Sequence, residues 1–88
     1  MNEKSFTLQI LTPSRRVFKG TVVSLVAPGA LGYLGILANH APLMTTLTPG
    51  TVIYRDGAGV TTTLSSKGGG LLEVHENQVT LLTDEIAP

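Results

Sequence analysis

Residues 51–65 read TVIYRDGAGVTTTLS. Thr51 to Arg55 alternate around Val52 and Tyr54, and beyond the interruption Val60, Thr62 and Leu64 alternate with Thr61, Thr63 and Ser65. A period of two in β-branched and aromatic residues is the signature of a half-buried strand. Asp56-Gly57 between two such runs predicts a hairpin. Working outward, the same pattern repeats. Downstream, Gly68, Gly69 and Gly70 interrupt, Leu72 and Val74 alternate with Glu73 and His75, Asn77 marks a turn, and Val79 to Thr83 reads as the last strand. Upstream lie the apolar pieces Leu43–Leu47, ending at Pro49-Gly50, and Leu34–Leu37, between Gly32 and Asn39. Thr21 to Ala27 is a β-branched run that Pro28-Gly29 should close as a turn. Val17-Phe18 is a short strand that Gly20 should break, Thr12-Pro13-Ser14 is turn chemistry, and Phe6, Leu8 and Ile10 alternate at the start. No segment sustains apolar spacing at three and four residues, so no helix is expected. Short strands with turn signals every eight to twelve residues predict an all-β sandwich or barrel.

The chain has 88 residues, which is room for a single domain, 1–88, without linker or internal repeat. Six basic and six acidic residues cancel to a net charge of +0, which excludes capture of nucleic acid by a basic surface. Charged residues make up only 14%, well under the ~25% of ordinary soluble domains. A soluble monomer normally keeps its net charge away from zero, so partners are expected to cover part of this surface. Cys is absent, which removes disulfides, thiolate nucleophiles and Cys-type zinc sites. No secretory apolar block follows Met1–Lys4. Residues 22–38 are uncharged but contain Pro28, Gly29, Gly32 and Gly35, so they do not read as a membrane helix.

Chemistry-bearing residues are sparse. His75 is out of phase with Leu72 and Val74 and should face solvent. His40 sits in the loop Asn39-His40-Ala41-Pro42, where loops tend to carry function. Ser24, Ser65, Ser66 and Asp84 supply hydroxyls and a carboxylate, but none lies in a nucleophile-elbow motif, so no catalytic residue is assigned. Two isolated histidines among scattered carboxylates lack metal-ligand spacing, and no cofactor is expected. In Ser66-Lys67-Gly68-Gly69-Gly70 the lysine precedes the glycines and a strand follows, the reverse of a phosphate loop. Those glycines read instead as a bulge or tight bend using positive φ. Gly29-Ala30-Leu31-Gly32-Tyr33-Leu34-Gly35 reads in two ways: as a loop folded back over the core, or as an adhesive patch of Leu and Tyr among glycines.

The run VSLVAPGALGYLGILANHAPLMTTLTPG, residues 23–50, resembles the epsilon subunit of F-type ATP synthases. Leu34-Gly35-Ile36, Asn39-His40-Ala41-Pro42 and Pro49-Gly50 carry the likeness, with Leu8 to Gly20, Gly69 to Val74 and Asn77 to Leu82 extending it over nearly the whole chain. The resemblance implies a β-sandwich of about ten strands on the central rotor stalk, a non-catalytic clamp fixing the membrane ring of c subunits (the c-ring) to the gamma shaft. By position, Leu31, Gly32 and Tyr33 would meet the ring loops, while His40, Leu43 and Thr12 would lie toward gamma. Membrane contact would come only through the complex, on the cytoplasmic face of a bacterial inner membrane. Tyr33 stands where the family often has an acidic or polar residue, so a phenol contact would replace a charged one. Ala38 stands where Pro is common. The chain ends at Pro88, where the sandwich would end, so a short form without the family's C-terminal helical pair, and without its regulatory role, is expected. The competing reading is a free-standing β-sandwich module that binds a protein or glycan. Aromatics at 5% and the lack of Trp weigh against a glycan face. A small hydrolase lacks its triad.

Overall fold

The computed structural model describes residues 4–88, and every regular element among them is a strand. The strands are β1 (Phe6–Leu11), β2 (Arg16–Val22), β3 (Ser24–Gly29), β4 (Gly32–Ile36), β5 (Leu43–Leu47), β6 (Gly50–Arg55), β7 (Thr61–Ser66), β8 (Gly70–His75), β9 (Gln78–Thr83) and β10 (Ile86–Ala87). They form one continuous sheet in the order β10-β7-β6-β3-β5-β8-β9-β1-β2, with β4 on the other edge of β3. All pairs are antiparallel except β1 with β9, which joins the two ends of the chain in parallel, Thr7 opposite Gln78.

The sheet folds over on itself at one place. Strand β3 pairs with β6 through Ser24–Val26, but at Gly29 its partner is Leu47 of β5. Ala30 N–H donates to the Thr46 carbonyl at 3.0 Å and Thr48 N–H to the Pro28 carbonyl at 2.9 Å. This crossing links β4-β3-β6-β7-β10 to β5-β8-β9-β1-β2, so the one sheet makes both layers of the sandwich. Pro28 is therefore not a turn residue but lies inside β3. It is tolerated because β3 changes partner there, and a missing N–H costs least at such a point.

Alternation fills the space between the layers. Phe6, Leu8 and Ile10 of β1, Val52 and Tyr54 of β6, Leu72 and Val74 of β8, and Val79 and Leu81 of β9 are all buried in one cluster. Phe18 of β2 reaches across to Tyr54 of β6, with ring centroids 4.5 Å apart, within the range favoured by aromatic pairs. The buried polar residues Ser66 and Thr83 meet at 2.7 Å between hydroxyl oxygens, beside the Gly68 carbonyl. No buried side-chain nitrogen or oxygen among the described residues lacks a partner.

The glycines and turns differ from the sequence expectation in instructive ways. Gly20 does not break β2, which runs through it; a Cβ there would come within 2.9 Å of the Phe18 ring, so the glycine makes room for that aromatic. Gly68, Gly69 and Gly70 do not use positive φ. Gly70 opens β8, and a Cβ on it would collide with the Leu82 carbonyl oxygen. Close approach of two backbones, not a left-handed turn, is what requires glycine. The hairpin between β6 and β7 exists, but over a longer loop than Asp56-Gly57 implies. The Asp56 carboxylate accepts from Ala58 N–H at 2.9 Å and Val60 N–H at 3.0 Å, and positive φ falls at Gly59 instead of Gly57. Glu76 and Asn77 both take positive φ, which makes the β8–β9 connection a two-residue hairpin of the primed kind.

Candidate interface residues at the two ends of the sandwich

Strand directions sort the loops into two groups. The turns 12–15, 30–31, 48–49 and 67–69 share one end, and the connections 37–42, 56–60 and 76–77 share the other. Leu31, Gly32 and Tyr33 lie at the first end, and His40 and Leu43 at the second. Thr12, grouped with His40 and Leu43 by resemblance, stands at the Leu31 end.

Residues 29–35 are a hairpin and not a loose loop. Ala30-Leu31 join β3 to β4, with Gly29 opposite Gly32. Gly32 has φ 127°, a backbone geometry closed to side-chain-bearing residues. The two readings of this segment divide residue by residue. Leu34 packs against the core. Leu31 has a relative exposure of 103% and touches nothing that would bury it. Tyr33 is exposed at 59%, yet its hydroxyl is engaged, accepting the Thr51 N–H at 3.0 Å. The phenol reaches that nitrogen by crossing Pro28. A Cβ on Gly50 would come within 2.8 Å of both the Pro28 Cβ and the Tyr33 Oη, so Gly50 keeps the path open. The tip is thus an unsupported leucine on a braced base.

At the other end, Asn39 adopts φ 62° and donates its N–H to the Asn77 side-chain oxygen at 2.7 Å. The Asn77 amide donates in turn to the Ser5 carbonyl at 2.9 Å, and its backbone carbonyl accepts from Thr7 N–H at 3.2 Å. One side chain therefore ties together the start of β1, the β8–β9 turn and the loop that carries His40. His40 is exposed, and its Nδ1 lies 2.8 Å from the Ala41 carbonyl oxygen, which orients the ring. His40, Pro42, His75 and Asn77 line an open cleft of about 650 Å³. His75 is exposed as its phase predicts, with Nε2 3.6 Å from the Glu76 carboxylate. Leu43 is half-buried against the core. Asn77→Gly keeps the positive φ and deletes both side-chain bonds. It is expected to cost about 1–2 kcal/mol, as two exposed or part-buried bonds should. Asn77→Ala adds backbone strain and is expected to cost more. Urea unfolding of the two variants separates the contributions.

Sequence reading missed a third surface. Leu11 lies opposite Leu82, and Leu82 opposite Leu71, on the outer side of one layer. Leu71 and Leu82 are exposed at 42% and 41%. With Thr12 and Pro13 they line a groove of about 220 Å³. The signal was present in the doublets Leu71-Leu72 and Leu81-Leu82, since adjacent leucines in a strand cannot both face inward. Among the described residues no three His, Asp or Glu side chains gather as a metal site.

Comparison with known proteins accounts for this architecture. Residues 5–88 match the family described as "ATP synthase, Delta/Epsilon chain, beta-sandwich domain". The ATP synthase epsilon chain of Pelotomaculum thermopropionicum is 44% identical over 85 residues, 96% of this chain and 61% of that protein. The epsilon chain of Anaeromyxobacter sp. is 46% identical over 80 residues, 91% of this chain and 59% of its own length. The chain thus spans about three fifths of the length of these curated relatives. In solved structures, a chain of the Tetrahymena thermophila mitochondrial ATP synthase central stalk and c-ring superposes with a TM-score of 0.79 at 16% identity, covering 98% of this chain and 68% of that one. That likeness is one of fold. With the strand order, the core and these matches in agreement, the chain belongs to the family of ATP synthase delta/epsilon β-sandwich domains.

Proposed function

We propose that this chain serves in the central stalk of an F-type ATP synthase, where it couples rotation of the c-ring to the gamma shaft and does no bond chemistry itself. The match of residues 5–88 to the delta/epsilon β-sandwich domain carries this reading. The geometry is consistent with a clamp. A close-packed sandwich measuring 37 × 25 × 21 Å presents Leu31 and Tyr33 at one end and the His40 loop at the other. A dense core resists compression, so load applied at one end reaches the other with little loss. Two modest contacts made together also raise effective concentration, so neither has to be tight alone. In this reading Leu31, Gly32 and Tyr33 meet the ring, and His40 and Leu43 face gamma. Thr12, with the leucine groove beside it, offers a further gamma contact at the ring end. Residues 1–88 act as a single domain in it. Among the described residues no helix is long and apolar enough to cross a membrane. Membrane association, on the cytoplasmic face of a bacterial membrane, comes through the complex. The test is reconstitution of the synthase with and without this chain, following ATP turnover and proton pumping together. Pumping is expected to fall while turnover persists when the chain is left out. Unchanged pumping without it would remove the coupling role.

A further inference from the structure

In the β6–β7 loop a glycine follows Asp56, and nothing in the fold asks for that glycine. Gly57 does not take positive φ, and a Cβ on it would meet nothing within 4 Å. It is the second residue of a tight turn, which the Gly59 N–H closes by donating to the Asp56 carbonyl at 3.1 Å. Most residues suit that position, and proline is favoured there. Gly57, Ala58, Gly59 and Val60 are all exposed. The Gly57 N–H finds no acceptor among the described residues.

The Asp56 side chain, by contrast, is held at one oxygen. Ala58 N–H at 2.9 Å and Val60 N–H at 3.0 Å both reach Oδ1. No group among the described residues bonds Oδ2. The bond to Ala58 curls the side chain back toward the Gly57 amide, as in an Asx turn. Two backbone donors on one oxygen are also the arrangement that stabilises the oxyanion of an acyl-transfer intermediate. An attack on Cγ would put that negative charge on Oδ1 and leave Oδ2 as the departing oxygen.

We propose that Asp56 is a site of spontaneous backbone isomerisation, where the Gly57 nitrogen attacks Asp56 Cγ and the resulting succinimide ring reopens as isoaspartate. In the first step the N–Cγ bond forms and the Cγ–Oδ2 bond breaks. Water leaves, made of the amide proton and the hydroxyl of the protonated carboxyl. In the second step water adds to the former main-chain carbonyl carbon of Asp56. The bond from that carbon to nitrogen breaks, and the proton released returns to nitrogen. Nothing is oxidised or reduced, and the composition is unchanged. The main chain then runs through Cβ and Cγ, and the old carbonyl has become a free carboxylate. The bonds from Gly59, Ala58 and Val60 must re-form on a backbone longer by a carbon, so the loop loosens. Asp84, Asn2, Asn39 and Asn77 could close the same ring, but each precedes a residue whose side chain hinders the attack: Glu85, Glu3, His40 and Gln78. The proposal does not depend on the stalk reading.

The experiment ages the full chain in warm buffer, with and without urea, and digests it with an endoprotease that cuts before aspartate but not before isoaspartate. The Arg55–Asp56 bond is expected to become resistant with time, while cutting before Asp84 stays complete and serves as the internal standard. With both donors in place, the folded chain is expected to convert at least as fast as the chain in urea. Gly57→Val sets a branched side chain beside the attacking nitrogen and is expected to slow conversion about tenfold or more. Gly57→Pro has no amide proton to give up and is expected to stop it. The turn position tolerates both residues. Resistance that appears at Asp84 as quickly as at Asp56, or that persists in Gly57→Pro, would overturn the assignment. Conversion clearly faster in urea than in the folded chain would show that the bonds from Ala58 and Val60 lock the carboxyl, and would overturn it as well.

Discussion

Gly70→Ala is expected to cost about 3 kcal/mol of stability, at the upper end of what overpacking does. In a domain of this size that lowers the melting midpoint by roughly 12–24 °C. The cause is local and steric. Gly70 opens β8 opposite Thr83, and the carbonyl of Leu82 occupies the volume that a Cβ would need. The obstacle is backbone, so it cannot rotate away as a side chain can. Relief requires β8 and β9 to separate at their first pair, beside the buried Ser66–Thr83 hydroxyl contact. Gly69→Ala is the control. Its Cβ would approach the Leu47 carbonyl oxygen only to 3.3 Å, a contact that a small shift relieves, so a cost of less than about 1 kcal/mol is expected. Calorimetry on both variants checks the difference. Similar melting points would show that β8 and β9 part at the Gly70–Thr83 pair more readily than their geometry implies.

That contrast also shows what could be read in advance. The alternation in Phe6–Ile10, Thr51–Arg55 and Leu72–His75 places those strands, because inward and outward positions are a local property of the chain. The purpose of Gly70 is not local. It depends on which strand lies alongside, and nothing in Ser66-Lys67-Gly68-Gly69-Gly70 names β9. Pro28 misleads for the same reason. Pro-Gly is turn chemistry by composition, but here the strand changes partner at that point and the proline stays in the sheet. Among the candidate contacts, Leu31 is legible because glycines surround it and no charge is near. The bond from Thr51 to the Tyr33 hydroxyl is not legible, since it joins residues 18 positions apart across an intervening strand. That Thr12 stands at the Leu31 end and apart from His40 is not legible either, because position in the chain does not reveal strand direction.

Leu31→Asp is expected to weaken binding to the c-ring by about 2 kcal/mol, roughly 30-fold, while leaving stability within about 0.5 kcal/mol. The two halves of this expectation come from one fact. A side chain with 103% relative exposure contributes nothing to its own fold, so its removal costs the fold nothing. A carboxylate placed there must be desolvated when a partner closes over it. Tyr33→Phe should behave differently. It deletes the hydrogen bond from Thr51 N–H, and its cost of about 1 kcal/mol should appear in the unfolding of the isolated chain as well as in binding. Denaturation of each free variant, set beside its affinity for purified ring, separates the two behaviours. A Leu31→Asp chain that bound the ring normally would move the ring contact away from this tip.

The parallel pairing of β1 with β9 has a consequence for how the molecule is made. Thr7 finds Gln78 only after some seventy intervening residues have left the ribosome. At roughly 5–20 residues per second, β1 and β2 must wait several seconds for the strand that completes their layer. Contacts so distant along the chain are entropically slow to close. The nascent polypeptide therefore carries an unfinished apolar hairpin until β9 has emerged, and that interval is when a holding chaperone would have most to protect.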